Sequence, residues 1–397
     1  MIFISVQSSI FGQWEEKNIS TDQTLTGVHF ISDNVGFVTG SNKIFKTEDG
    51  GENWVTSHSS NDVVFYEGVY ALDENVVIAV GKDFDINSSK ITRTTNGGKS
   101  WEDIQISNSS LLRSIVFVSP SLVYCSGGSG TILKSTNAGE NWEELNTGTQ
   151  ENLLSIYFVN DSIGIAVGGK PTLGEIIKTE DGGNTWNAIN SLSSNYLQSV
   201  FFTSQETGYA VGWEGEILKT ADCGNSWTNQ NSVSMSGNLD VTFINNDIGY
   251  ITGGSLNEPL IQKTINGGEL WEDVSPESIH ALTSIQFPSM SIGYAVGSNG
   301  SVVKTESGGI TSLINITNDI NLVQIYPNPA NNSITINSKS NEAINTIKIF
   351  DINGILIKKY NTYSESCKIN MSEFSPNIYF IEIQTKSKRI VTRIVKR

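Results

Sequence analysis

Apolar and polar residues alternate in short runs along most of the chain, each run bounded by Gly, Asn, Asp or Ser. No stretch keeps a helical spacing of apolar positions, so the pattern predicts β-strands joined by tight turns. The runs come in a fixed order. A segment small-Val-x-Phe is followed by Gly-Tyr-Ala-Val-Gly, as in Gly208–Gly212 and Gly293–Gly297, and then by Ile-x-Lys-Thr, as in Ile217–Thr220. A turn rich in Asp, Asn and Gly then leads to a tryptophan. That turn recurs as Thr47-Asp49-Gly51-Trp54, Thr94-Asn96-Gly98-Trp101, Ser135-Asn137-Gly139-Trp142, Thr179-Asp181-Gly183-Trp186, Thr220-Asp222-Gly224-Trp227 and Thr264-Asn266-Gly268-Trp271. A seventh copy, Thr305-Ser307-Gly309, lacks the tryptophan.

The copies lie 41–47 residues apart. Each unit holds three period-2 strands and a fourth that begins at the tryptophan. Four-stranded units at this period are the blades of a β-propeller. The turn is then the hairpin between the third and fourth strands. Its Asp or Asn caps the backbone, its glycines accept φ > 0, and its tryptophan fills the gap between sheets. The seventh unit has no fourth strand of its own, whereas Gln13-Trp14-Glu15-Glu16-Lys17 matches the fourth-strand segments of the other units (Trp101-Glu102-Asp103, Trp142-Glu143-Glu144). The expected architecture is therefore all-β: a seven-bladed propeller closed by the N-terminal strand, which removes the edge an open array would expose. Six blades with an extra hairpin would leave Trp14 without a role.

Charge divides the chain. Residues 1–320 carry 14 Lys/Arg and 36 Asp/Glu, whereas residues 321–397 carry 11 and 5. The sign change near residue 320 marks a domain boundary, and the acidic body argues against nucleic acid as a partner. The expected domains are 1–12, a remnant signal peptide (or a disordered leader); 13–309, the propeller; 310–320, a linker; and 321–397, a small antiparallel sandwich of Ig-like type. The three cysteines, Cys125, Cys223 and Cys367, and three histidines, His29, His58 and His280, form no metal-binding spacing, so neither metal nor other cofactor is expected. Cys125 stands where other repeats carry alanine and reads as a small packed hydrophobe. No stretch is long enough to span a membrane as a helix.

The repeated turn is the Asp box, and the chain resembles the bacterial neuraminidase repeats. It is most similar to the photosystem II assembly factor-like propellers with their K-T-x-D-G-G-x-x-W signature. The resemblance covers roughly residues 13–309. It implies that Asp49, Asn96, Asn137, Asp181, Asp222, Asn266 and the tryptophans of the six boxes are structural and lie on the face away from the functional one. The C-terminal module resembles the type A sorting domain of the type IX secretion system, through Pro327-Asn328-Pro329, the turn at Gly354 and the late strand Ile378-Tyr379. That resemblance implies the type IX machinery as partner and an extracellular or outer-surface location. Asn377 replaces the glycine usual before Ile-Tyr, and a left-handed backbone is expected there.

Function is sought on the opposite rim. From the glycine ending the second strand to the Asp-box Ser/Thr, the gaps are 7, 13, 8, 11, 8, 11 and 8 residues. The extra length falls in units 2, 4 and 6, and insertions confined to one face often mark a binding face. This rim would present Asp83, Asp85, Trp213, Glu214, Glu216 and Glu258, with Asn257, and near the starts of the first strands Glu67, Arg113 and Gln198. Trp213 either stacks on a sugar or peptide or packs on a neighbouring loop. A sialidase would need an arginine triad, but residues 13–310 contain only Arg93 and Arg113. The same scarcity removes the basic patch linked to the assembly-factor role. The expected function is a secreted, non-catalytic binding or scaffold propeller with an unknown glycan or protein ligand. The alternative is a polysaccharide-active glycoside hydrolase using paired carboxylates on the rim.

Overall fold

The computed structural model describes residues 14–104, 106, 108–255, 258–276, 280–306, 308, 323–339, 342–350, 356–385 and 389–397. The expectations for residues 1–12, the linker 310–320, Asn257, Ser307, Gly309 and Gly354 lie outside this set. The chain separates into a unit of Gln13–Glu306 and a unit that includes Ser307–Arg397.

The larger unit consists, among the described residues, of seven four-stranded antiparallel sheets. In the first, Leu25–Phe30, Gly36–Gly40, Lys43–Thr47 and Val55–Ser59 pair in chain order. The next five repeat this plan, with first strands at Val64–Ala71, Leu112–Phe117, Asn152–Phe158, Leu197–Phe202 and Asn238–Phe243. The seventh pairs Leu282–Gln286, Gly293–Gly297 and Val302–Thr305, and its fourth strand is Trp14–Lys17, with Trp14 opposite Thr305. Each first strand lies against the first strand of the next sheet, and Leu282–Gln286 lies against Leu25–Phe30.

The cores lie between sheets rather than within one. Trp54 meets Phe30 edge-on at 6.0 Å, and Phe30 stacks at 3.6 Å on Tyr294 of the seventh sheet. The same trio recurs as Trp186, Phe158 and Tyr124, and as Trp271, Phe243 and Tyr209. Trp14 completes another with Phe287 and Tyr250, so it occupies the tryptophan position that the seventh unit lacks in its own sequence. Each buried tryptophan removes ~150–250 Å² from water, worth up to ~4–6 kcal/mol. Cys125 is fully buried in one of these layers, as its place among alanines predicts.

The smaller unit has two sheets. Val323–Tyr326, Ser333–Ser338 and Ser366–Asn370 form one, and Ile344–Phe350, Leu356–Ser364, Asn377–Thr385 and Arg389–Lys396 form the other. Their inward residues, including Ile334, Ile347, Ile369 and Ile381, make a single core. The segment after Pro327 is fastened to the last strand. Asn328 Oδ1 accepts the Val395 N–H at 2.9 Å, and the Ala330 N–H donates to the Val395 carbonyl at 2.7 Å. Asn377 departs from expectation. It is the first residue of an extended strand, paired with Lys396, and its φ is not positive, so nothing there calls for glycine.

Candidate functional site

The Asp boxes sit at one end of the sheets. In the first, Gly51 N–H donates to Thr47 Oγ1 (2.9 Å), Thr47 Oγ1 donates to Asp49 Oδ1 (2.9 Å), and Asn53 N–H donates to the same carboxylate oxygen (2.8 Å). The glycines at 50 and 51 take φ of 71° and 84°, a region closed to most side chains. The signature also joins neighbouring sheets. Lys134 Nζ and the Tyr124 hydroxyl both donate to the carbonyl of Gly182 in the next box, at 3.1 and 2.7 Å, and Lys219 and Tyr209 repeat this on Gly267. Arg93 takes the lysine position in the second sheet and donates to the Ala138 carbonyl at 2.9 Å, on the Asp-box face.

The opposite end carries the hairpins of sheets 2, 4 and 6. Their extra residues extend the second and third strands, so pairing continues to Asp83–Ser88, Lys170–Leu173 and Ser255–Glu258. The short turns of sheets 3, 5 and 7 instead close with left-handed pairs such as Glu214-Gly215 and Asn299-Gly300. Long and short hairpins thus alternate from the first sheet to the seventh, and two short ones stand side by side where the seventh sheet meets the first.

Near this end, the first strand of every sheet slips register by one residue. Such a bulge re-aims one side chain out of the ladder. The residues at the slips are Thr26, Glu67, Arg113, Leu154, Gln198, Leu239 and Thr283, and all seven line one cavity of about 200 Å³. Arg113 Nη1 lies 3.1 Å from Glu67 Oε2. Burial pushes the Glu67 carboxyl above its ordinary range, and the guanidinium opposes that shift. The Gln198 carboxamide has no hydrogen-bond partner among the described residues, so it is available to a ligand.

Asp240 also lines the cavity, in a repeat position held elsewhere by Gly or Ser. Ser199 Oγ donates to its Oδ1 at 2.7 Å, and Ser284 Oγ and the Ile285 N–H donate to its Oδ2 at 3.0 and 2.9 Å. The Val241 N–H donates to Oδ1 at 2.9 Å. Burial raises its pKa and these bonds pull it back. It ties the first strands of three sheets together. The sequence reading missed it, although an Asp in a Gly/Ser column was the available signal.

Of the residues expected on the functional rim, Glu67, Arg113 and Gln198 come together in the cavity. The others do not line it. Asp83 is a correction: it is 3% exposed, and its Oδ1 accepts the N–H of Asp85 and Ile86, capping its own turn. Asp85 accepts the Val63 N–H at 2.9 Å. Glu216 accepts from Ser193 Oγ and Glu214 from Asn195 Nδ2, at 2.5 and 3.3 Å. Burial raises the Glu216 pKa, with the Ser193 bond opposing. Trp213 is half exposed, with Tyr196 its ring neighbour at 6.4 Å. Glu258 is exposed at the end of the sixth sheet's hairpin.

Repeated sheets joined through Asp boxes define a β-propeller of the neuraminidase-repeat type, followed by a separate β-module. Residues 6–112, 140–231 and 178–279 match the photosynthesis system II assembly factor YCF48 family, together more than half of the chain, and the chain belongs to that family. Residues 324–397 match the secretion system C-terminal sorting domain. Among solved structures, the chain is similar to YCF48 bound to D1 peptide (20% identity, TM-score 0.60, covering 74% of this chain and 95% of that one). It is also similar to YCF48 from Cyanidioschyzon merolae (19%, 0.61, 74% and 98%). The GH74 xyloglucanase from Xanthomonas campestris shares the fold at 11% identity and TM-score 0.59, with 75% of this chain covering 54% of that one. No curated protein sequence matches the chain.

Proposed function

We propose that Gln13–Glu306 is a seven-bladed propeller closed by its N-terminal strand, and that it serves as a non-catalytic binding or scaffold module. The Ig-like sandwich at 321–397 directs its export by the type IX route to the outer surface or the medium. The contact face is the hairpin face around the bulge-lined cavity. One observation carries this reading. Among the described residues between 14 and 306, twelve large apolar side chains are exposed, and nine of them lie on that face (Val63, Phe65, Phe84, Ile86, Leu173, Leu192, Trp213, Val233 and Met235). The other three, Val55, Ile265 and Leu270, lie towards the Asp boxes. Apolar surface gathered on one face marks an interaction site.

The carboxylates of the cavity support binding rather than hydrolysis. Glu67 is paired with Arg113, and both oxygens of Asp240 are occupied by donors. Glycan-array binding and hydrolase screening of the full chain test the reading together. Retained ligand without turnover is the expected result. Turnover that disappears in Glu214→Gln, Glu216→Gln or Glu67→Gln would overturn it in favour of a glycoside hydrolase.

A further inference from the structure

Four consecutive loops on the hairpin face are fastened into a belt. Ser191 Oγ donates to the carbonyl of Gly174, beside the tip of the fourth sheet's hairpin, at 2.7 Å. Ser193, in the same loop, donates to Glu216 of the fifth sheet. Gly215 lies so close to the next loop that a Cβ there would stand 1.9 Å from the Ser234 carbonyl oxygen. The Val233 N–H in turn donates to Gln262 of the sixth sheet at 3.3 Å. Leu173, Leu192, Trp213, Val233 and Met235 stand on this belt, and all are exposed, Met235 by 80%.

Leu192 is costly on two counts. Its φ is 55°, where a leucine is strained and glycine or asparagine is at ease. It is also 63% exposed, so packing does not repay the strain. The same turn, in which the N–H donates to an Asn side chain two residues back, carries Ser20 and Gly148 in other units, so the turn does not call for leucine and the exposed side chain points to a contact outside the chain. The charge along this arc is mainly acidic. Glu214 and Glu216 lie on the fifth sheet's loop and Glu258 on the adjoining hairpin of the sixth sheet, and the base Lys170 is already paired with Glu151 at 3.0 Å.

We infer that this arc docks a polypeptide segment that is both apolar and basic. Its Leu, Phe or Trp side chains lie against Leu192, Trp213 and Met235, and its Lys or Arg side chains meet Glu214, Glu216 and Glu258. A glycan fits less well: Trp213 would stack on a sugar face, but four aliphatic neighbours would strip water from its hydroxyls without replacing the hydrogen bonds. The inference rests on the hairpin face being the contact face and names what it contacts.

The test uses the full chain and a short synthetic peptide alternating Lys with Leu and Trp, beside its counterpart with Glu in place of Lys. Fluorescence anisotropy at low and high salt reads the binding. The Lys peptide is expected to bind at least ~10-fold more tightly than the Glu peptide, with an affinity that falls as salt rises. The double substitution Leu192→Ser with Trp213→Ser is expected to weaken it at least ~10-fold while leaving the melting temperature unchanged. Val55→Ser with Leu270→Ser, towards the Asp boxes, should change nothing. Equal affinity for both peptides, or indifference to the Leu192/Trp213 variant, overturns the inference. A glycan whose binding is lost in that variant overturns it too but leaves the contact face standing. Loss only in the Val55/Leu270 variant overturns the contact face itself.

Discussion

His29 sits where two sheets meet, its ring 4.0 Å from that of Tyr70 and its Nδ1 accepting the Ala71 N–H at 3.2 Å. That bond needs the neutral ring, and burial lowers the imidazole pKa from 6.5 to about 4. Linkage sets the sign. The folded pKa lies below the unfolded one, so the contribution is complete above about pH 6.5 and is lost as pH falls towards 4. Its ceiling is about 3 kcal/mol at one pKa unit per ~1.4 kcal/mol, and the partial exposure of the residue reduces it. His29→Asn, which can keep the acceptor, is expected to reduce the fall in urea midpoint between pH 7 and pH 4.5 relative to the parent. An unchanged difference between the two pH values would refute the role. The sequence showed His29 only as one of three histidines, because its partner lies 42 residues away. The Asp-box residues were legible because their partners are within four positions, as in Gly51 and Thr47. Asp83 misled for a related reason: a carboxylate in a hairpin sequence reads as displayed until the turn that buries it is known.

At the scale of elements, the Trp14–Lys17 strand carries more than its length suggests. It supplies the last strand of a sheet whose other strands begin at Leu282, and it brings the tryptophan that seals the layer with Tyr250 and Phe287. Trp14→Ala is expected to cost ~3–5 kcal/mol, read by chemical denaturation. Deleting residues 13–20 should give an aggregating or strongly destabilised protein, because it frees an edge strand. A deletion mutant that melts like the parent would disprove closure. This strand was readable from sequence because Trp-Glu-Glu echoes the start of the fourth strand in other units. The alternation of hairpin length was readable too, but its form was not. Spacing cannot tell a longer loop from a longer ladder, and residues such as Lys82 and Ser89 prove to be strand partners. The seven bulges were hidden for the same reason: one extra residue in a strand leaves the repeat length intact, so Glu67, Arg113 and Gln198 were visible as unusual residues without the geometry that gathers them.

For the whole molecule, charge and architecture divide together. The acidic repeats and the basic C-terminal module each have their own core. The family match at 324–397 assigns the second unit to sorting, which predicts that a chain ending before residue 323 accumulates inside the cell while the full chain reaches the medium or the outer surface. Fractionation with an antibody to the propeller checks this, and normal secretion of the truncated chain would refute it. The pairing of Trp14 with Thr305 has a consequence for descent as well as for stability. Counted from Trp14, the chain runs as seven sets of one fourth strand followed by the first three strands of the next sheet, so this linear repeat and the sheet that folds are offset by one strand. A duplicated or lost copy inserts or removes three strands of one sheet and the fourth of its neighbour. The strand returning from the front of the chain still meets whichever sheet comes last. Proteins built this way can change their number of repeats in whole steps without leaving a raw edge at the join.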